Sequence, residues 1–364
     1  MKSDLLALQT ELLEVTSLIK AQKSADDLSQ SVSRLTGDHE PLAQSAREII
    51  GVRNTMRKYQ YISVIVALYG AMEQYVESII SSYLRIIPNI CGRYGQIPEH
   101  LRKKHHELTV EYLTAIKMNR VNDPEDETVV VRRLALCRNK SVRYEFNTRA
   151  FALRTANMSF DRMKMVLSNL GIGVTPRRLT NTQSYRSFYE HKNGKQPPSL
   201  GDAEARAVFS DVDNLVDRRN RVAHGANNVD DIEGPAILLE RVEHLLMYAR
   251  AIHEIVEDHV LRLGSEMKRS QALGVPLARF GASVVCFPLE GGEVAVEDTM
   301  VMIPTDLQLP ARRGKIKRLE VDRASHDRIV GAAGVKFGAE VTFSSIEKAC
   351  YEIVPAEIVK LLDS

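Results

Sequence analysis

A chain of 364 residues with 44% hydrophobic and 26% charged residues has the make-up of an ordinary globular protein of two or three domains, long enough to bury a large core. Its 49 Lys and Arg against 47 Asp and Glu leave a formal charge of +2, which excludes a whole-chain nucleic-acid coat and leaves phosphate binding to local segregation of charge. Cys91, Cys137, Cys286 and Cys350 are too scattered for a disulfide framework or a structural zinc site, which implies free thiols in a reducing compartment.

From the N-terminus, Leu5, Leu8, Leu12, Val15 and Ile19 alternate at three- and four-residue steps, the seam of a helix. The seam fades after about two heptads, which favours packing onto its own domain over an intermolecular coiled coil. The first twenty residues carry acidic side chains and a helical pattern rather than a secretory leader, and the apolar stretch 62–72 is too short to span a bilayer. The expected location is therefore cytoplasmic, with no membrane contact. Residues 24–40 are polar and predict a loop or helical hairpin. A long helix follows over 60–84, ending ahead of Pro88, with the stripe Ile62, Ile65, Val66, Tyr69, Met72, Val76, Ile79, Ile80 and Tyr83. Glu73 falls at the edge of that stripe, where a carboxylate must be paired, hydrogen-bonded or able to reach water.

Residues 90–200 read as helices between polar loops, one of them over 160–170 and stopped by Gly171. Between Arg132 and Lys195 stand fourteen Lys or Arg and three acidic residues, a local net of +11. Tyr144, Phe146, Phe151, Phe160, Tyr185, Phe188 and Tyr189 interleave there with Arg143, Arg149, Arg154, Arg162 and Arg186, a mixture suited to phosphate contact and base stacking. RNA contact is favoured over a solvated basic face, with Arg143, Arg149 and Arg154 as candidate RNA-binding residues.

Two helices follow, over 202–224 and 234–263, joined by a polar turn. On the first, Phe209, Val212, Leu215, Val216, Val222 and Ala223 mark the buried face, and Arg219 stands within it. A pair between Arg219 and Glu73 would neutralise both inward charges. His224 lies four residues beyond Asn220 and shares its face, whereas Arg219 points about 140° away from His224. A single copy of this helix does not aim both groups at one phosphate, but two copies meeting across a two-fold axis can. Gly225 is well placed to end the helix.

Residues 218–225 read Arg-Arg-Asn-Arg-Val-Ala-His-Gly, in which Arg219, Asn220 and His224 form an Arg-Asn-x3-His spacing. The motif resembles the signature of the HEPN superfamily of all-helical nucleotide-binding and ribonuclease domains found in prokaryotic toxin and defence systems. The helix over 69–77 with Glu73 is similar to the family's early helix, and the resemblance spans roughly 60–263 with the middle region as an insertion. It implies a helical bundle, a homodimer with a composite active site, and RNA as substrate. The residues suit metal-independent cleavage without a cofactor: His224 as acid or base near neutral pH, and Arg219 on the phosphate oxygens as charge develops. Asn220 would orient His224 or the phosphate. Arg221 adds a phosphate contact or pairs with Asp217. The expected activity is an endoribonuclease leaving a 2′,3′-cyclic phosphate, in a toxin or antiphage effector. The alternative is a non-catalytic RNA- or nucleotide-binding module of the same fold.

Other motifs are weaker. Glu257 stands where a His-Glu-x-x-His zinc motif starting at His253 needs its second histidine, so no metal site is expected there. His100, His105 and His106 lie among basic residues and predict a solvated helix face. Gly171-Ile172-Gly173 lacks the third glycine and the strand of a dinucleotide fingerprint.

After Gly264 strands are predicted over 280–287, 293–296, 299–303, 315–321, 335–343 and 350–354. The stretch 314–322 with Gly338-Ala339-Glu340-Val341 and Tyr351-Glu352-Ile353 resembles the second-domain β-barrel of translation elongation factors, which implies a binding role. A cognate antitoxin or defence-system partner would dock there, and an adaptor of the translation apparatus is a third reading. The predicted fold is mainly α, a HEPN-like helical bundle with a helical insertion and then a small all-β barrel or sandwich. The expected divisions are an N-terminal helical segment (1–58), the helical domain (59–263, with a basic insertion at about 90–200) and a β domain (264–364).

Overall fold

The computed structural model describes residues 1–35, 39–138, 144–153, 157–223 and 232–364. Three long helices form its centre: α1 (Lys2–Val32), α3 (Arg53–Cys91) and α12 (Pro235–Glu266). Leu8, Leu12, Val15 and Ile19 of α1 are buried in the same core as α3 and α12, so the seam at the N-terminus closes on its own chain. The fully buried Tyr75 stitches α3 to α12 by donating from its hydroxyl to the Ala249 carbonyl at 2.9 Å. α2 (Glu40–Gly51) lies between α1 and α3 in sequence and touches both.

The sequence predicts that α3 stops before Pro88, but it continues to Cys91. Ile86, Ile87, Ile90 and Cys91 are all buried, so packing continues past the missing proline donor. Gly92 ends the helix at φ 65°, where its N–H donates to Pro88 O at 3.0 Å.

Short helices cover one side of this centre: α4 (Glu99–Lys117), α5 (Glu127–Arg138), α6 (Thr148–Ala152), α7 (Phe160–Asn169), α8 (Pro176–Thr180) and α9 (Gln183–Asn193). Five of the seven aromatic residues expected to stack on bases, Tyr144, Phe146, Phe151, Phe160 and Tyr185, are core residues instead, while Phe188 and Tyr189 are half-buried. Burial of aromatic area outweighs whatever the neighbouring arginines suggest. His105 corrects the reading of a solvated histidine face: it is fully buried, its Nε2 accepting from the Asn147 N–H at 3.1 Å. That bond leaves the proton on Nδ1, which faces the Tyr94 hydroxyl at 3.1 Å. Burial, with His106 beside it, pushes the His105 pKa down to about 4, so the ring is neutral.

The helix predicted over 202–224 is divided into α10 (Asp202–Val208) and α11 (Ser210–Ala223). Phe209 leaves the helical path between them and enters an aromatic cluster, stacked on Phe160 at 5.9 Å between ring centroids and 5.4 Å from Tyr248.

Beyond α12 every strand pairing is antiparallel. The strands are β1 (Gln271–Gly274), β2 (Ala278–Phe280), β3 (Val284–Pro288), β4 (Glu293–Ala295), β5 (Thr299–Pro304), β6 (Arg312–Val321), β7 (Ala324–His326), β8 (Arg328–Val330), β9 (Lys336–Val341) and β10 (Ala349–Val354). The main sheet runs β1-β10-β5-β6-β9-β3-β2, with β7 on β6, and forms a half-barrel around Phe287, Leu319, Phe337 and Tyr351. The ten-residue β6 serves two neighbours, β5 with its first half and β9 with its second, across an irregularity between Ile316 and Arg318. The single strand predicted over 280–287 is a hairpin instead, because Gly281 turns at φ 61° between β2 and β3. A last helix, α13 (Ala356–Asp363), returns to the helical core through Ile358, Val359 and Leu362.

The two units are joined by charge. Asp258 of α12 is completely buried and accepts from Arg178 of α8, from Arg262 at 2.8 Å and from the Ala311 N–H at 2.7 Å. Arg262 in turn donates to the Pro304 and Leu309 carbonyls, both at 3.1 Å. Removing the carboxylate strands two guanidinium groups, so Asp258→Ala is expected to cost about 3–5 kcal/mol in urea unfolding. A loss below about 1 kcal/mol, the scale of an exposed pair, would contradict a structural role for this junction.

Candidate functional site

α11 carries two successive arginines with different tasks. Arg218, nearly buried, donates from Nη1 to the Tyr61 hydroxyl at 2.7 Å and from Nε to Asn214 Oδ1 at 2.7 Å. Its Nη2 lies 3.1 Å from Glu233 Oε1. Arg241 of α12 reaches the same carboxylate, donating from Nε to Oε2 at 2.6 Å and from Nη2 to Oε1, and also donating to Asn214 at 2.8 Å. Burial works against the charge of Arg241, and Glu233 and Asp211 outweigh it. Glu233 stands just before α12, so this cluster ties the start of α12 to α11.

Arg219 is half-buried. The turn that sends Val212, Leu215 and Val216 into the core brings it against α3. Its guanidinium lies over the Tyr69 ring, 4.8 Å from the centroid, and donates to Asn220 Oδ1 at 3.1 Å. The Tyr69 hydroxyl donates to Glu73 Oε1 at 3.4 Å and accepts from the backbone N–H groups of Asn157 at 2.7 Å and Met158 at 3.3 Å. Glu73 and Arg219 are thus brought together as the sequence pattern suggests, but through Tyr69. Among the described residues they form no direct ion pair.

A direct pair would have stabilised the Glu73 carboxylate, and its environment does not. Burial and then Glu77 raise its pKa above the ordinary value, opposed by the Tyr69 hydroxyl and by Arg219. Burial likewise raises the Tyr69 hydroxyl.

Of the other candidates, Arg221 is exposed at the end of α11 and makes no ion pair with Asp217 among the described residues. Arg149 is exposed and lies 3.7 Å from Asp123. His224, Arg143 and Arg154 lie outside the described residues, as do residues 225–231, for which the sequence predicts a turn.

Residue spacing does not reveal the Glu233 cluster, nor a histidine–carboxylate pair beside it. His244 Nδ1 donates to Asp211 Oδ2, which holds the Asp211 carboxyl below its usual range with help from Arg241 and Lys192. The residues concerned are far apart in sequence, and only the α11–α12 packing unites them.

A family model described as RiboL-PSP-HEPN matches residues 15–258. No curated protein and no solved structure matches the chain.

The raised pKa of Glu73 has a thermodynamic sign. The folded chain holds that proton more tightly than the unfolded chain, so stability falls as pH climbs from the ordinary glutamate range through the raised one. Glu73→Gln is neutral throughout and is expected to flatten that part of the curve of urea midpoint against pH. An unchanged slope would contradict the environment assigned to Glu73.

Proposed function

Because the chain belongs to the RiboL-PSP-HEPN family of the HEPN superfamily, which comprises nucleases and RNA-binding proteins, we propose that it is a metal-independent endoribonuclease built from two copies of the α11 motif. The observation that carries this reading is the setting of Arg219. It is a cation held on an aromatic face near the end of a helix, with His224 five residues further on in sequence.

In this mechanism a His224 imidazole takes the proton of the ribose 2′-hydroxyl, whose oxygen attacks the adjacent phosphorus. The bond to the departing 5′-oxygen breaks, and a second imidazole supplies the proton that oxygen needs. The products are a 2′,3′-cyclic phosphate and a 5′-hydroxyl. Arg219 binds the non-bridging oxygens as charge accumulates, since stacking on Tyr69 engages its face and leaves N–H groups at its edge. Asn220 accepts from Arg219 through its Oδ1, and in this mechanism it orients His224 or the phosphate.

A second copy is the proposed partner, and α3 supports it. Val52, Met56, Tyr59, Ser63, Val66, Gly70, Glu73 and Glu77 recur at alternating four- and three-residue steps. All of them are exposed except the half-buried Glu73. That is the spacing of a helix–helix seam, and it runs into the Tyr69–Glu73 neighbourhood. A role as a toxin or antiphage effector, with the half-barrel receiving a cognate inhibitor or defence partner, belongs to the same proposal. No helix among the described residues is long and apolar enough to cross a membrane.

The non-catalytic reading has its own support, because the Arg219 guanidinium is already engaged by Tyr69 and Asn220. Incubation with tRNA and mRNA in excess chelator separates the two readings. The parent is expected to cut, with rates reduced about 10²–10⁴-fold in His224→Ala and about 10²–10³-fold in Arg219→Ala. RNA bound but left whole by the parent would favour the binding module; equal decay in all three would end the nuclease reading. Val66→Glu is expected to convert dimer to monomer in sedimentation and to abolish cutting. A dimer that survives it would exclude the α3 seam.

A further inference from the structure

Residues 157–160, at the start of α7, meet both helices that form the Arg219 stack. The Asn157 N–H donates to the Tyr69 hydroxyl of α3 at 2.7 Å, and the next N–H, that of Met158, reaches the same oxygen at 3.3 Å. The Phe160 N–H donates to Asp213 Oδ1 of α11 at 2.9 Å. Met158 and Phe160 are buried, so the segment is seated in the core as well as held by its donors. Asn157 itself is exposed, with φ 56°. That is the left-handed region, which asparagine tolerates and β-branched residues do not. Consecutive N–H groups in such a turn converge on one acceptor. Here the acceptor is the Tyr69 oxygen, which also donates to Glu73 at 3.4 Å. The phenol is thus fixed at its hydroxyl end, and with it the ring that lies under the Arg219 guanidinium, 4.8 Å from the centroid. Attraction of a cation to an aromatic face sets a direction only as far as the ring is itself held.

We propose that Asn157 is a positioning residue of the Arg219 site: its left-handed turn fixes Tyr69, and Tyr69 aims the guanidinium at the RNA phosphate. The exposed residue acts through backbone donors, its own and that of Met158, rather than through its side chain. The inference rests on the reading of Arg219 as the phosphate-binding group. No local pattern in the sequence marks it, because Asn157 and Tyr69 are 88 positions apart.

Asn157→Val, which strains against the left-handed conformation, and Asn157→Gly, which adopts it freely, separate backbone from side chain. In the RNA cleavage assay, Asn157→Val is expected to lose about 10²-fold in kcat with KM nearly unchanged, and Asn157→Gly to stay within about twofold of the parent. Adding Asn157→Val to Arg219→Ala is expected to cost nothing more. A second measurement needs no catalysis. In protein carrying isotope-labelled arginine, the Arg219 Nε–H resonance is assigned by its absence in Arg219→Lys. It is expected to be displaced by the Tyr69 ring current in the parent and in Asn157→Gly, and to return to the ordinary arginine position in Asn157→Val. Should Asn157→Val fail to fold, Tyr69→Phe, which keeps the ring and loses the acceptor, carries the same test through the same resonance. A resonance unmoved in the variant tested, or Asn157→Gly as impaired as Asn157→Val, would overturn the proposal whether or not the protein cuts RNA. A parent that leaves RNA whole while the resonance moves as expected would uphold the positioning and end the nuclease reading alone.

Discussion

Two guanidinium groups from different helices close on one buried carboxylate, as Arg218 of α11 and Arg241 of α12 both reach Glu233. Asn214 and Tyr61 supply oxygens to the same arginines, so α3, α11 and the start of α12 are tied at a single point. Charges this deeply buried are retained only when each is paired and hydrogen-bonded, and loss of one partner from such a cluster costs about 3–5 kcal/mol. The functional consequence follows from chain order. α11 ends at Ala223, His224 follows, and Glu233 fixes the return of the chain. The cluster therefore ties α11 to the start of α12, the elements that flank the histidine in sequence, while Tyr69 sets Arg219.

The elements legible in the sequence are those in which burial and periodicity agree. The Leu8-Leu12-Val15-Ile19 spacing marks α1, and the stripe through Ile65, Met72 and Val76 marks α3, because each long helix buries one continuous face. The inward position of Arg219 is legible for the same reason. Periodicity gives no measure of what lies opposite a face, so Tyr144, Phe146 and Phe151 could be read as stacking groups when they are core. His105 could likewise be read as solvated, when an Asn147 amide forty-two positions away occupies its Nε2. Glu233, Arg241 and the Asp211–His244 pair carry no local signal at all. α13 is a different case. Ile358, Val359 and Leu362 have helical spacing, but the strand-rich context hides an eight-residue helix that belongs to the other unit's core.

That returning helix and the Asp258 junction make the half-barrel part of the helical unit's stability rather than a loosely tethered appendage. Asp258 holds Arg178 and Arg262, and Arg262 extends to the carbonyls of Pro304 and Leu309. The family match ends at Asp258, one of the α12 residues through which the helical scaffold grips the half-barrel. α12 links the two regions directly: Arg241 on its first turns serves the motif and Glu254 and Asp258 further along serve the junction.

Amide hydrogen exchange in the parent and in Glu233→Gln tests the central dependence directly, with or without catalysis. The neutral amide keeps the shape of Glu233 but removes the charge that the two arginines share. The expected result is a large loss of protection at the start of α12 and the end of α11, with the middle of α12 and the half-barrel unchanged. Equal protection in both proteins would contradict the assignment of Glu233 as the anchor of the motif.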